Sequence, residues 1–222
     1  MEREITAITA QKRNPQRVNI YLDGEFAFGL SRFVAAWLKL GQKLSSAEIE
    51  RLKDDDTHEI AFQKAMGFIN YRPRSIEETR RRLGEKGFST EVIEITLAKL
   101  IDKGWLNDLA FARQWIENRN TFRPRSNRVL AYELRLKGVA DDEIAQALED
   151  FGGDETELAF QAGQKKAQQY RYAERADFIK KVGAYLGRRG FNYGIVKPVV
   201  EQLWKTVTAT ESECSPDIQK ME

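Results

Sequence analysis

The chain has 222 residues, of which 41% are hydrophobic and 32% charged, and its formal net charge is only +2. This composition supports packed cores and excludes binding of nucleic acid through bulk positive charge, so an anion-binding surface must come from local clusters. The single cysteine, Cys214, allows no intramolecular disulfide, and the sequence shows neither a secretory signal nor a long apolar run. We therefore expect a cytoplasmic protein that does not enter a membrane.

The first segment, residues 1–56, begins with alternating apolar and polar side chains. The alternating stretches 18–22 and 26–30 flank Asp23–Gly24. Two such stretches around Asp-Gly are the strongest short-range signal for a β-hairpin. The stretch Ile5–Ile8 is expected to supply a third strand.

Because an isolated hairpin is marginally stable in water, it must pack on a neighbouring element. The amphipathic stretch 31–41 is the nearest candidate, and a second short helix is expected to start at Ser45 or Ser46. The acidic run Asp54–Asp56 marks the predicted boundary of this N-terminal module.

From residue 57 to about residue 206 the apolar positions recur at three and four residues, which predicts helices throughout. The tetrapeptide RPRS occurs at Arg72–Ser75 and again 51 residues later at Arg123–Ser126, and downstream leucine, glycine and isoleucine positions keep that offset. A third, weaker copy follows. This periodicity indicates a repeat array. The predicted segments are 57–106, 107–153 and 154–206, followed by an acidic tail, 207–222, that is expected to be disordered.

Each repeat is expected to contain three helices. The proline of RPRS ends the first helix, and the serine caps the second. Gly87, Gly138 and Gly190 lie where the second helix needs a left-handed residue at its end. The third helix is expected to open after a capping residue: Ser89 or Thr90, Asp141, and Asn192. Pro198 predicts that the last of these helices starts late or bends.

The fold class that follows is mainly α: a tandem array of three three-helix repeats, preceded by a small module of a β-hairpin and short helices. The sequence has no metal-ligand spacing, no phosphate-binding loop and no nucleophile motif. The only histidine, His58, is expected to be an exposed residue at a helix start. We therefore predict a protein that is not an enzyme and has no metal and no cofactor.

Arginines cluster around the RPRS motif. Basic residues at a helix N-terminus oppose the helix dipole, so their placement favours an anionic group bound there, either a phosphate or a partner carboxylate. The alternative is that they form ion pairs between repeats. In the third repeat the motif lacks its proline and its second arginine. The candidate partner- or anion-binding residues are Arg72, Arg74, Arg80, Arg81, Arg82, Arg123, Arg125, Arg128, Arg171, Arg175, Arg188 and Arg189.

The aromatic residues favour packing within or between repeats over base stacking. Tyr170–Arg171–Tyr172 lies in the spacer before the third repeat, where a surface contact with a partner is an equal alternative. Three-helix units with short turns also occur in helix-turn-helix DNA readers, but no single recognition helix stands out here.

The repeated motifs RPRS…L…KGF and RPRS…EL..KGV, the junction GWLNDLAFARQWIENR and the hairpin RVNIYLDGEFAFGLS resemble those of the RecX family of bacterial regulators of the recombinase RecA. The resemblance covers residues 5–206. It implies an elongated, curved array that lies in the groove of the RecA filament and blocks ATP hydrolysis and strand exchange. It places the protein in DNA repair and the SOS response, with RecA as protein partner and no cofactor.

Two other functions stay open at this stage. A helical array could compete for single- or double-stranded DNA directly, or it could be a general scaffold for another partner. We expect the chain to act as a monomer and to bind DNA more weakly than it binds RecA.

Overall fold

The computed structural model describes the backbone of residues 2–212 and the side chains of residues 2–209. These residues belong to two compact units, which divide after Leu106. The first unit contains the predicted N-terminal module and first repeat, and the second contains the other two repeats. Residues 213–222 of the predicted acidic tail lie outside the described residues.

The N-terminal module is a four-stranded antiparallel sheet with the order β3-β2-β1-β4. Asp23 and Gly24 both have positive φ, 51° and 88°, and they form the tight turn between β2 and β3 that the sequence predicts. The apolar faces of these strands form their own core with Leu44 of β4. The strands are β1 (Glu2–Gln11), β2 (Asn14–Leu22), β3 (Glu25–Ser31) and β4 (Lys43–Ser45).

The predicted helix over residues 31–41 is wrong for most of its length. Only α1, Arg32–Ala35, is helical, and Gly41 then takes a positive φ of 78°. This turn lets β4 pair with the edge of β1, with Arg3 opposite Leu44. Since β4 has only three residues, its alternation is too short to recognise in the sequence.

The helix that follows, α2, is continuous from Ser46 to Ile69. The boundary predicted at Asp54–Asp56 is therefore wrong. Asp56 is buried, and its carboxylate accepts hydrogen bonds from Arg17 Nη2 at 2.8 Å and from the Ser31 N–H at 2.6 Å. Because an arginine and a backbone N–H compensate its burial, this aspartate joins the sheet to the helix instead of separating them.

His58 lies in the middle of α2 and is half-buried, so the prediction of an exposed residue at a helix start is also wrong. The error has the same cause, because α2 begins at Ser46 and not after the acidic run.

The remaining described residues form the predicted three-helix repeats, with α2 supplying the first helix of the first repeat. Each repeat has its own apolar core. The helices are α3 (Ile76–Gly84), α4 (Thr90–Asp102), α5 (Asp108–Phe122), α6 (Asn127–Arg135), α7 (Asp141–Phe151), α8 (Glu155–Gln169), α9 (Arg175–Arg188) and α10 (Tyr193–Ser212).

Three helix starts or ends differ from expectation. The helix α7 follows Ala140, which makes no side-chain cap, instead of being capped by Asp141. The last helix, α10, starts at Tyr193 and contains Pro198, so it does not start after the proline. It also continues to Ser212, beyond the predicted end near residue 206.

No helix among residues 2–212 is long and apolar enough to cross a membrane. Within the same residues, no group of histidine, cysteine, aspartate and glutamate side chains could hold a metal ion.

The glycines that end the second helices are left-handed, as predicted. Their φ angles are 83° at Gly87, 80° at Gly138 and 93° at Gly190. Gly190 has a second constraint, because a Cβ there would lie 2.5 Å from Ser126 Oγ and would overlap Val129 Cγ2. The turn between α9 and α10 therefore packs directly on the start of α6, and this contact joins the second and third repeats.

We expect Gly190→Ala to lower the free energy of unfolding by about 2–4 kcal/mol, because it combines a left-handed alanine with overpacking. Urea denaturation followed by tryptophan fluorescence measures this loss. Gly187→Ala is the matched control: this glycine lies within α9 and a Cβ there meets no neighbour. The control should be neutral or stabilising by up to about 1 kcal/mol. Equal effects of the two substitutions would contradict the packing described for Gly190.

Candidate partner-binding site

The proline and serine of the RPRS motif have structural roles. Ser75 and Ser126 are buried, and their hydroxyls accept hydrogen bonds from the N–H groups of Glu78 at 3.1 Å and Val129 at 3.4 Å. In the first repeat the Glu78 carboxylate also accepts from the Ser75 N–H, which completes a capping box. Both serines therefore fix the first residue of the second helix.

Half of the twelve predicted arginines bind groups of the chain itself. Most of them form ion pairs with carboxylates, and Arg189 donates to a backbone carbonyl. These contacts are Arg72 with Glu78, Arg80 with Glu77 and Glu94, Arg82 with Glu85, Arg125 with Glu133, Arg175 with Glu201, and Arg189 with Pro124.

Arg80 is the most strongly engaged of these residues. Its guanidinium donates to Glu94 Oε1 at 2.8 Å and to Glu77 Oε2 at 2.5 Å. The hydrogen bonds that Arg80 donates to Glu94 and Glu77 raise the pKa of Arg80, and the one that Glu94 accepts lowers the pKa of Glu94. Arg80 therefore links α3 to α4 and has little capacity left for a partner.

At the start of α6, backbone groups form hydrogen bonds with other residues of the chain. The Ser126 N–H donates to the Arg189 carbonyl at 3.2 Å, and Arg189 Nη1 donates to the Pro124 carbonyl at 3.0 Å. The Asn127 N–H donates to the Glu155 carboxylate at 2.6 Å. The carboxylate of Glu155 is therefore the anion at this helix N-terminus, and the Asn127 N–H is not open to an external anion.

A further carboxylate is enclosed in the second repeat. Glu133 accepts hydrogen bonds from Trp115 Nε1 at 2.9 Å and Arg119 Nε at 2.9 Å, and it forms an ion pair with Arg125 Nη1 at 2.7 Å. Only 15% of its side chain is exposed. Sequence reasoning missed this group because its donors come from α5 and from the segment before α6, whereas Glu133 lies on α6.

The other six predicted arginines form no ion pair within the described residues. Two of them lie over aromatic rings: Arg74 over Phe68, 3.9 Å from the ring centroid, and Arg171 over Tyr172 at 4.5 Å. The set is Arg74, Arg81, Arg123, Arg128, Arg171 and Arg188.

Arg74 is the half-buried member of this set. Burial lowers its pKa, and the neighbouring Arg72 lowers it further, yet an arginine stays protonated at neutral pH. Arg82 lies 5.8 Å from the same Phe68 ring, and Arg81 is exposed beside it on α3. We call Phe68, Arg74, Arg81 and Arg82 the repeat-1 cluster.

A second group lies where the second and third repeats meet. Arg123, Arg128 and Arg188 are exposed, and each is within two residues of the contact between Pro124–Ser126 and Arg189. We call these three residues the junction cluster. Both clusters offer guanidinium groups that can make charge-assisted, bidentate hydrogen bonds to carboxylates or phosphates.

The predicted aromatic residues mostly pack within repeats. The Trp204 ring lies 4.9 Å from that of Phe178, and the Trp105 ring 6.0 Å from that of Phe62. Tyr172 does not pack in this way, because 79% of it is exposed in the turn before α9.

The structure also exposes an apolar cleft of about 440 Å³ in the first unit that the sequence did not indicate. Its walls include Phe33, Trp37, His58 and Phe62. Trp37 is 87% exposed and Phe33 is 70% exposed. The cleft therefore presents apolar surface to solvent.

The sequence matches four family models over most of its length. Residues 3–45 match the "Regulatory protein RecX N-terminal domain". Residues 61–100, 107–148 and 153–200 match the first, second and third three-helix domains of RecX.

Relatives and a solved structure agree with these matches. The chain is 32% identical over 203 residues to the regulatory protein RecX of Bacillus pumilus, covering 90% of this chain and 77% of that protein. It is 31% identical over 202 residues to RecX of Bacillus subtilis, covering 90% and 76%. A crystal structure of regulatory protein RecX aligns with a TM-score of 0.70 and 25% identity, covering 90% of this chain and 99% of that one. The chain therefore belongs to the RecX family of regulatory proteins.

Proposed function

We propose that this protein regulates homologous recombination by binding the RecA filament in its groove. It inhibits ATP hydrolysis and strand exchange there and promotes filament disassembly. Membership of a family of regulatory proteins supports this proposal, and so does the resemblance of the RPRS repeats and the junction to regulators of RecA.

The observation that carries the proposal is that the serine and the arginines of the RPRS motif have different roles. Its serine is committed to capping, whereas Arg74 and Arg123 form no ion pair among the described residues. Arginines without an ion pair beside a helix start oppose the helix dipole, so the dipole does not explain their position. A protein partner with acidic side chains gives them a function, and such contacts set both association rate and specificity.

A second candidate function is direct competition for DNA. The observation that favours it is the junction cluster, in which three exposed arginines lie near one helix start. Phosphate binding of this kind releases counterions and weakens steeply with added salt.

We expect a several-fold molar excess of the folded protein to lower DNA-dependent ATP hydrolysis by the cognate recombinase and to shorten its filaments. The measurements are the steady-state hydrolysis rate and filament length by electron microscopy. An unchanged rate and length would contradict the proposal. Inhibition that tracks the affinity for naked DNA and is lost with moderate salt would favour direct competition instead.

The double substitution Arg74→Ala with Arg81→Ala should weaken this inhibition by about tenfold, because it removes two unpaired cations from the contact face. Circular dichroism should show unchanged helicity, since neither side chain forms an ion pair. Arg51→Ala is the matched control, because Arg51 is an exposed arginine of α2 outside both clusters. Equal inhibition by wild type and double variant, or loss of helicity in the double variant, would contradict the assignment. Arg72 is kept, because its removal would leave the buried Glu78 without its arginine.

A further inference from the structure

In the second repeat, an arginine of the RPRS motif binds a carboxylate of the same repeat. Counting from the capping serines, α3 and α6 align without a gap at an offset of 51 residues, so Arg74 corresponds to Arg125 and Arg82 to Glu133. Arg125 binds the Glu133 carboxylate at 2.7 Å. The second repeat thus supplies, from its own middle helix, a carboxylate for the last arginine of the motif.

The first repeat keeps the arginine and lacks this carboxylate. Position 82 holds a second arginine, and the guanidinium groups of Arg74 and Arg82 lie 3.9 Å and 5.8 Å from the centroid of the same Phe68 ring. Arg74 makes no hydrogen bond or ion pair among the described residues, and its Nε is buried. Two cations therefore lie near one aromatic ring, and the position that holds Glu133 in the second repeat holds an arginine here.

The acidic groups around this site are already engaged. Glu78 binds Arg72 and caps α3, Glu85 binds Arg82 at 2.9 Å, and Glu77 and Glu94 bind Arg80. Each of these glutamates has an arginine partner, and all four lie on α3, just after it, or on α4. A polyanion such as a DNA backbone, which presents a phosphate every few ångströms, would meet these glutamates, whereas a single carboxylate needs only the two arginines.

We propose that the repeat-1 cluster binds the carboxylate of an aspartate or glutamate side chain on the protein partner, in the place that Glu133 takes in the second repeat. Arg74 and Arg82 donate to the two carboxylate oxygens, and the Phe68 ring covers one face of the Arg74 guanidinium. Arginine suits this role because its planar group stacks on the ring and donates from its edge at the same time. The identity of the partner as the recombinase filament rests on the proposed function.

The decisive variant is Arg82→Glu, which places a carboxylate opposite Arg74 as in the second repeat and so fills the site from within. We expect its dissociation constant for the recombinase filament to rise by about tenfold or more. Lys86→Glu is the control, because Lys86 is exposed just after α3 and the substitution changes the net charge equally. The affinity for an oligothymidylate of about thirty nucleotides, without recombinase, should fall no further in Arg82→Glu than in the control.

Two results would overturn the proposal. Equal losses of filament affinity in Arg82→Glu and Lys86→Glu would show that overall charge alone matters. A loss of oligothymidylate affinity in Arg82→Glu as large as its loss of filament affinity would show that the cluster binds nucleic acid. If Arg82→Glu does not fold, Arg74→Gln takes its place, and it should lose filament affinity while keeping oligothymidylate affinity.

Failure of the proposed function is recognised separately, because wild type would then not bind the filament. The site is still testable by thermal unfolding of wild type, Arg74→Gln, Arg82→Glu and the double variant. If the place accepts a carboxylate, the melting temperature falls more when Arg74 is replaced in the Arg82→Glu background than in wild type. Equal falls in the two backgrounds would overturn the proposal without reference to any recombinase.

Discussion

The start of each middle helix in the first two repeats is fixed by the serine of the RPRS motif, and the arrangement of the arginines depends on that point. The serine hydroxyl accepts a hydrogen bond from an N–H of the first turn, and the proline two residues before it keeps the preceding chain out of the helix. Where the proline and serine are missing, in the third repeat, α9 begins already at Arg175. Its arginine is then the first residue of a helix and pairs with Glu201. The motif thus decides whether an arginine lies before a helix or within one.

A fixed helix start has different consequences in the two repeats that keep it. In the second repeat, Glu133 binds Arg125, and Glu155 accepts a hydrogen bond from the Asn127 N–H at the start of α6. Gly190 lets the third repeat approach α6 closely. In the first repeat, Glu78 satisfies the helix end, but Arg74 has no carboxylate partner. The same local structure therefore contacts the third repeat in one case and leaves Arg74 for a partner in the other.

Much of this fold could be predicted from the sequence, because its signals are local. The turn at Asp23–Gly24, the capping serines and the left-handed glycines depend on residues close in the chain, and all were confirmed. The errors came from contacts between distant residues. Asp56 seemed a solvent-exposed boundary because Arg17 and Ser31, which compensate its burial, lie far away in the sequence.

The candidate site divides in the same way. The sequence identified the arginines as a group, but which of them are neutralised depends on glutamates from other helices, such as Glu94 for Arg80. The RPRS motif alone cannot separate Arg74 from Arg125, because their surroundings differ outside the motif. Phe68 and Arg82 in the first repeat correspond to Arg119 and Glu133 in the second, and Glu133 binds both Arg119 and Arg125.

The central claim is that the arginine-bearing start of α3 contacts the filament. Hydrogen-exchange mass spectrometry of the intact chain, free and bound to the cognate recombinase filament, tests it most directly. The account predicts slower exchange on binding in peptides that cover residues 70–84, which contain the RPRS motif and α3. Unchanged exchange in these peptides, with protection confined to other helices, would contradict it.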